Sequence, residues 1–514
     1  MSGTTQITAA STIEQLPDDV TTLKQMVLTL LGQIDDLSGQ LYYLKRQLFG
    51  KKSEKLTPGQ RLLFENLYQE IEAKIEQQKQ PKSEPVKKQK NENHKGRNPL
   101  PPELPREKIE IMPSPDEQTC AICNDPKDII GTEVTEKLEF RPACFFVKQY
   151  IRYKMGCKKC EGNISIGELP AMVIDKGIAG EGLLAHIITS KYCDHLPLNR
   201  LEGIFKRSGV DINVSTMCDW VGNCSDLLEP LAKRMHQKIL ESPKINSDDT
   251  PIPVKSPNRK GSTYNGYLWV YIDDKNNVVF DFTPTRSREG PIKFLGKYNG
   301  NLQADAYSGY DEFFRKSGAA EIGCHAHARR KFEYALDSDP VRAARMMVLW
   351  KKLYEIEDTA RKEKYSSAQL LEARQTQAKP ILAEIKVILD EYKKQVLPKT
   401  PIGKAVTYSL NQWDALLRYA DDPILEIDNN LSERTLRMVV LGRVNYLFAG
   451  SEAGAKRAAI IYSLVASCKL NEIDPFAYFR DVLVRISTHP ADKIDELLPS
   501  NWKKPEKSVD KAAA

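Results

Sequence analysis

Between Lys244 and His325 the chain spells out an element order that few architectures accept. Lys244–Pro253, KINSDDTPIP, predicts a short strand with two acids at its centre, and Tyr267–Asp273, YLWVYID, predicts a second, aromatic and β-branched one. Asp274–Asn277 reads as a turn and Val278–Pro284 as the returning strand. Ser287–Tyr298 predicts a helix, Asn301–Tyr307 a short strand ending near an acid, and Gly309–Lys316 another helix. Glu321–His325 is the last expected strand and leads into a helix at Ala328–Phe332. Three strands, a helix, a strand, a helix and a strand predict an α/β sheet with Asp305 near the end of its fourth strand. On the first strand only one of Asp248 and Asp249 can face a given side, because side chains alternate.

The second landmark is Ile427–Ser451, IDNNLSERTLRMVVLGRVNYLFAGS. Asp428, Asn429 and Asn430 are helix-capping residue types, and Leu431, Leu436, Val439 and Val440 follow on helical spacing. Glu433 stands at the helix start beside Arg434 and Arg437. A carboxylate among arginines suits a metal ion held next to a phosphate; a solvated face with local ion pairs is the plainer alternative. Between Asp305 and Glu433 lie 127 residues, and Val341–Lys362, Ser367–Lys394 and Pro401–Ala420 in that gap read as helices. This element order is that of the ribonuclease-H-like fold, with an all-helical insertion before its last helix. Its carboxylates fall on the first strand (Asp248 or Asp249), after the fourth (Asp305) and on the later helix (Glu433). Three such groups can hold two divalent cations roughly 3.5–4 Å apart. Hard oxygen ligands favour Mg2+ or Mn2+.

The first half reads as a string of modules. Leu23, Val27, Leu30, Ile34, Leu37, Leu41, Leu44 and Leu48 alternate spacings of four and three, a coiled-coil seam that predicts self-association. Lys45, Arg46, Lys51, Lys52 and Lys55 surround Phe49 and suit phosphate contact or a solvated basic turn. Residues 77–106 carry seven basic against two acidic residues between Gln77 and Arg97 and almost nothing apolar, the composition of a disordered basic linker. Cys120 with Cys123, and Cys157 with Cys160, form two CxxC pairs with 33 residues between them, which predicts one structural, tetrahedral Zn2+ site. Leu201–Arg207, a break at Gly209 and a helix starting at Val214-Ser215-Thr216 suggest a helix-turn-helix. His186, His195 and His236 read as packing or surface residues.

Net charge decides little: 75 basic against 69 acidic residues leave +6. No run of eighteen apolar residues marks a membrane span, the first residues do not read as a signal peptide, and two CxxC pairs among ten cysteines suggest a metal site in a reducing compartment.

Several segments resemble the sixty-six family of bacterial insertion-sequence transposases, which are DDE enzymes. They are LFGKKSEK from Leu48, KYCDHLPLNR from Lys191, SDDT from Ser247, DAYSGY from Asp305, DNNLSER from Asp428 and LGRVNYLFAGSEAGAKRAAIIYSL from Leu441. The resemblance covers almost the whole chain in matching order. It implies that Asp248, not Asp249, is the first catalytic acid, with Asp305 and Glu433 completing the triad. It also implies a leucine-zipper-like start and a zinc-finger-like module at the four cysteines. Cys324–Arg330, CHAHARR, is similar to the family's CWAHxRR, so His327, Arg329 and Arg330 match as DNA-facing groups or neighbours of the acids, while His325 departs from the usual tryptophan.

The expected division is 1–76 coiled coil and helix, 77–106 linker, 107–165 zinc module, 166–240 helical region and 241–336 the first part of the core. The insertion follows at 337–423, the glutamate-bearing end of the core at 424–464, and C-terminal helices with a tail at 465–514. The expected function is cleavage of transposon ends and their transfer to target DNA, in a homodimer or higher oligomer, with or without small companion proteins. The expected setting is the nucleoid of the bacterial cytoplasm. The alternatives are a zinc-containing DNA-binding regulator without catalysis and a nuclease of the same fold without strand transfer.

Overall fold

The computed structural model describes residues 171–174, 177–257 and 261–504, the backbone of two strands at 154–157 and 162–166, and the isolated positions Asp19 and Phe145. The chain divides into two compact units, Gln80–Val147 and a second made of Met1–Lys79 with Lys148–Ala514, and every element below belongs to the second. The heptad segment, Lys45, Arg46, Lys51, Lys52, Lys55, the linker, Cys120, Cys123, Cys160 and the Cys157 side chain lie outside the described residues.

Strands β1 (Lys154–Cys157) and β2 (Gly162–Ile166) pair antiparallel. Three helices follow: α1 (Glu181–Tyr192), α2 (Leu198–Arg207) and α3 (Val214–Glu241). Gly209, at φ 80°, makes the turn after α2, a conformation that costs glycine least. Helix α3 is longer than a helix-turn-helix needs: it runs 28 residues, with Pro230 inside it. Its N-cap is Asn213, so Ser215 and Thr216 sit within the helix and do not cap it. Met217, Trp220, Val221, Leu228, Leu231, Met235 and Ile239 bury its inner stripe in the same core as the central sheet. Its first turns, residues 214–226, carry no lysine or arginine, which suits packing better than reading DNA phosphates.

The central sheet contains β3 (Lys244–Lys255), β4 (Thr263–Ile272), β5 (Val278–Thr283), β6 (Asn301–Gln303) and β7 (Ala320–Ile322), in spatial order β5-β4-β3-β6-β7. Strand β4 pairs antiparallel with both β3 and β5, and β3, β6 and β7 run parallel. Helices α4 (Glu289–Leu295) and α5 (Asp311–Ser317) join β5 to β6 and β6 to β7. The element order is the one read from sequence. Leu268–Ile272 are fully buried, as a continuous apolar run in a sheet covered on both faces should be. The expected strand Asn301–Tyr307 stops at Gln303: the β3–β6 ladder ends at Asn246–Gln303, and the chain turns through Asp305 into a 3-10 turn at Ser308–Tyr310. Likewise His325 starts a helix instead of ending a strand.

The insertion is helical, as expected, and holds its own core. Helices α6 (His325–Ala335), α7 (Pro340–Lys362), α8 (Ser367–Ala373), α9 (Lys379–Gln395), α10 (Pro401–Asn411) and α11 (Trp413–Leu417) bury Phe332, Trp350, Leu382, Ile385, Leu389 and Tyr419 together. The expected helix Ser367–Lys394 is interrupted by a π-turn at Arg374–Ala378. There the buried Arg374 donates to both Glu357 oxygens (2.8 Å each) and to the Tyr419 and Asp422 carbonyls. The two ends of the insertion meet: the His325 amide donates to the Ile427 carbonyl (3.1 Å), and the Asn429 amide to Cys324 Sγ (3.2 Å).

Three helices close the described chain: α12 (Asn430–Tyr446), α13 (Glu452–Leu470) and α14 (Pro475–Arg485). Helix α12 lies along β3, and beyond it the Ala449 amide donates to the Pro253 carbonyl (2.8 Å) while the Lys255 amide donates to Ala449 (2.9 Å). Helix α13 covers the free edge of β5, where Ser467 and Ser463, one turn apart, accept from the Val278 and Phe280 amides (2.8 Å each). An edge satisfied this way is closed to pairing with another strand. Among the described residues no helix is long and apolar enough to cross a membrane.

Candidate active site

Alternation along β3 separates its two central acids. Asn246 donates to Asn429 Oδ1 (3.2 Å) and Thr250 accepts from Arg443 Nη1 (3.2 Å), so the even-numbered side chains face α12. Ser247 bonds the Tyr310 hydroxyl (2.8 Å) and Asp249 pairs with Arg286 (2.8 Å), so the odd-numbered ones face the other side. Asp248 therefore lies on the sheet face that receives Glu433, which sits in the first turn of α12. Asp305 follows the end of β6, where that strand leaves β3.

The electrostatics tie these three together. Burial, and next the negative charge of Asp305, push the Asp248 carboxyl up to about 7; Asp249 and Glu433 add to the rise, and the Asp249 amide opposes it (2.8 Å to Asp248 Oδ1). Glu433 Oε2 accepts from Arg330 Nη2 (3.2 Å). Glu433 Oε1 stands 3.5 Å from His327 Nε2, yet it is buried without a hydrogen-bond partner, as is His327 Nδ1. Burial lowers the His327 pKa, and the neighbouring Glu433 opposes that shift.

His327 and Arg330, three apart on α6, thus both reach Glu433. Arg329 instead lies 4.0 Å from Glu333. Arg434 and Arg437 are exposed on α12 and make no ion pair among the described residues. His325 has a structural role: fully buried, its Nδ1 accepts from Trp350 Nε1 (3.1 Å), so its Nε2 carries the hydrogen and donates to the Leu416 carbonyl (2.9 Å). Burial pulls its pKa down to about 4, and both ring nitrogens are occupied.

A buried amide cluster docks α12 on the sheet, and nothing in the sequence pattern announced it. Asn429 occupies the N-cap position but does not cap. Its Nδ2 donates to the Ser247 carbonyl (2.8 Å), and its Oδ1 accepts from Asn246 Nδ2 (3.2 Å) and Ser432 Oγ (3.0 Å). Asn246 also donates to Gln303 Oε1 (3.2 Å), and Gln303 to the Glu426 carbonyl (2.6 Å). The capping is done by Asp428, which accepts from the Asn430 amide (3.0 Å) and from the Tyr354 hydroxyl of the insertion (3.0 Å).

As a donor set, Asp248, Asp305 and Glu433 fit a hard divalent cation: all are carboxylates, the charges of Asp305 and Glu433 both act on Asp248, and a buried Glu433 oxygen lacks a partner. As the side chains lie, no three His, Cys, Asp or Glu among the described residues stand close enough to enclose an ion, and Arg330 and His327 are the groups nearest Glu433.

Four family models match the chain in order. Residues 36–109 match the model described as transposase C of IS166 homeodomain, a leucine-zipper segment, and 117–161 match the zinc-finger binding domain of transposase IS66. Residues 176–457 match the transposase IS66 family and 463–500 the IS66 C-terminal element. Among similar proteins of Sinorhizobium fredii, y4jD is 32% identical over 95% of this chain and 98% of its own length. For y4hP the identity is 32% over 79% and 77%, and for y4qI 33% over 73% and 72%. All three are described as uncharacterized.

Proposed function

This chain belongs to the IS66 transposase family, and on that premise we propose that it cuts transposon ends and joins the freed 3′-hydroxyls to target DNA. The core is read as ribonuclease-H-like; its support is the strand order β5-β4-β3-β6-β7, with three antiparallel strands followed by parallel ones. Asp248, Asp305 and Glu433 are the proposed ligands of Mg2+ or Mn2+. Bound there, the metal would activate the attacking oxygen and stabilise the leaving one. The observation that carries this reading is that Asp248 shares a sheet face with the Glu433 helix and has its carboxyl raised by burial and, after it, by Asp305 and Glu433, whereas Asp249 faces away toward Arg286.

The chain's own groups divide the remaining work. Arg330 holds Glu433 by a hydrogen bond, and His327 stands beside the same carboxylate. Arg434 and Arg437 offer guanidiniums on the exposed face of the same helix to the DNA backbone. Cys120, Cys123, Cys157 and Cys160, which the zinc-finger match spans, are the proposed Zn2+ ligands. Lys45, Arg46, Lys51, Lys52 and Lys55, with the heptad segment, are proposed to add DNA contact and self-association. Action on chromosomal DNA in the bacterial cytoplasm, with or without companion proteins of the same element, completes the proposal.

The test is cleavage of duplex ends from the DNA flanking the gene, in Mg2+. Asp248→Ala, Asp305→Ala and Glu433→Ala should each bind the ends about as the parent does and release no 3′-hydroxyl, while Asp249→Ala keeps measurable activity. Normal cleavage by Glu433→Ala would remove α12 from the chemistry. A precut end that is not joined to target DNA would leave a nuclease.

A further inference from the structure

On the side of β3 away from α12 stands a group that neither the triad nor the insertion uses. Asp249 is almost fully buried, its side chain 5% exposed, and accepts from Arg286 Nε (2.9 and 3.1 Å) and Nη2 (2.8 Å). The Arg286 guanidinium lies 4.3 Å from the centre of the Tyr307 ring. The Tyr307 hydroxyl donates to the Arg286 carbonyl, so the ring and the arginine backbone are tied together. The Asp249 carboxylate and the Tyr307 ring therefore hold the guanidinium, and the Tyr307 hydroxyl holds the arginine backbone. Even so, 41% of that side chain is exposed, and Nη1 has no partner among the described residues. Tyr307 lies two residues after Asp305, and the Asp305 charge acts on both Arg286 and Tyr307.

An arginine that serves only to neutralise a buried aspartate has no need of a stacking ring or a free outer edge. One whose inner edge is held by a carboxylate and whose face is held by an aromatic ring is preorganised to present its remaining donors to an oxyanion. The oxyanions available next to Asp305 in a protein that cuts DNA are backbone phosphates. We propose that Asp249, Arg286 and Tyr307 form a phosphate cradle, in which Arg286 Nη1 binds a phosphodiester of the DNA strand running past Asp305. Asp249 is in this view a positioning residue for Arg286 and not a metal ligand. The cradle rests on the reading that this chain processes DNA, but not on the identity of its metal ligands.

The experiment measures binding of the full chain to a 30-base-pair duplex in EDTA, by fluorescence anisotropy across a range of KCl concentrations. Each phosphate that the protein no longer neutralises lowers the slope of log K against log salt by about 0.9. Arg286→Gln should show that decrease, and Arg286→Lys should keep the parent slope. Asp249→Asn should keep the slope too, because the charge remains, but should slow single-turnover cleavage roughly tenfold because the guanidinium is no longer aimed. Should Arg286→Gln unfold with Asp249 left unpaired, the double variant D249N/R286Q carries the same expectation for the slope. A parent-like slope in either folded variant overturns the cradle. Because the slope is read without metal or turnover, a Glu433→Ala protein that cleaves would sink the triad and leave this result standing. A parent protein that does not bind duplex DNA would sink both.

Discussion

Removing the Asn429 side chain should loosen α12 from the sheet before anything else gives way. The β3–β6 ladder ends at Asn246–Gln303, and the next carbonyl along β3, that of Ser247, is taken by Asn429 Nδ2 at 2.8 Å. Asn429→Ala leaves that carbonyl buried and unpaired, which costs about 1–3 kcal/mol. Two further bonds to Oδ1 disappear, but Asn246 keeps Gln303 at 3.2 Å and the Ser432 hydroxyl can turn, so each adds less. The sum is about 2–4 kcal/mol, a sizeable share of a typical domain's stability. Trp269 and Trp350 are buried in the two separate cores, and variants that keep only one or the other tryptophan report urea unfolding of each. The midpoint seen from Trp269 should fall, α12 amides should exchange faster, and cleavage should drop although no proposed catalytic group has been touched. Asn429→Asp should cost more, since it buries a charge. A midpoint and exchange pattern equal to the parent's would show that Asn429 does not dock the helix.

Two other expectations follow from the site. Because the folded Asp248 carboxyl titrates near 7 against about 3.9 unfolded, the folded state holds the extra proton between those values; stability is fully present below pH ~4 and is lost as pH rises through ~7. In metal-free buffer Asp248→Asn should therefore gain on the parent by about 2–4 kcal/mol between pH 4 and pH 8, and Mg2+ should narrow that gap by stabilising the parent; a pH-independent difference would refute the raised Asp248 carboxyl. Purified protein should carry about one zinc per chain, lost in the double variant C120S/C157S; zinc retained there would move the site elsewhere.

The order of elements along the chain was legible because each strand carries its own local signal, β-branched and aromatic runs bounded by turn residues. The helix that carries Glu433 in its first turn was legible through the capping residue types at its start. The amide cluster was not, because Asn246, Gln303 and Asn429 are polar residues whose burial leaves no periodicity. Asn429 even carried a misleading signal, a capping residue type whose side chain is used across the sheet. Arg286 was missed because its partner Asp249 lies 37 residues away and only the folded sheet joins them. The length of α3 was not legible, because a helix-turn-helix needs only a short second helix; Pro230 stands on the exposed side of a 28-residue helix held by eleven buried residues.

The insertion leaves the core at Cys324–His325 and returns at Ile427–Asn429, where two hydrogen bonds, one N–H···O and one N–H···S, join its ends. Its closure is thus fixed locally, whatever it contains. Lengthening such an excursion costs little, about 0.6 kcal/mol for each doubling of a flexible loop, and chain ends this close are where whole domains are tolerated as insertions. Helices α7 to α11 can accordingly be lengthened, recast or exchanged between relatives while Glu433 stays where the anchor puts it. The part of the molecule best able to change its shape is fastened one turn away from the part that has to keep it.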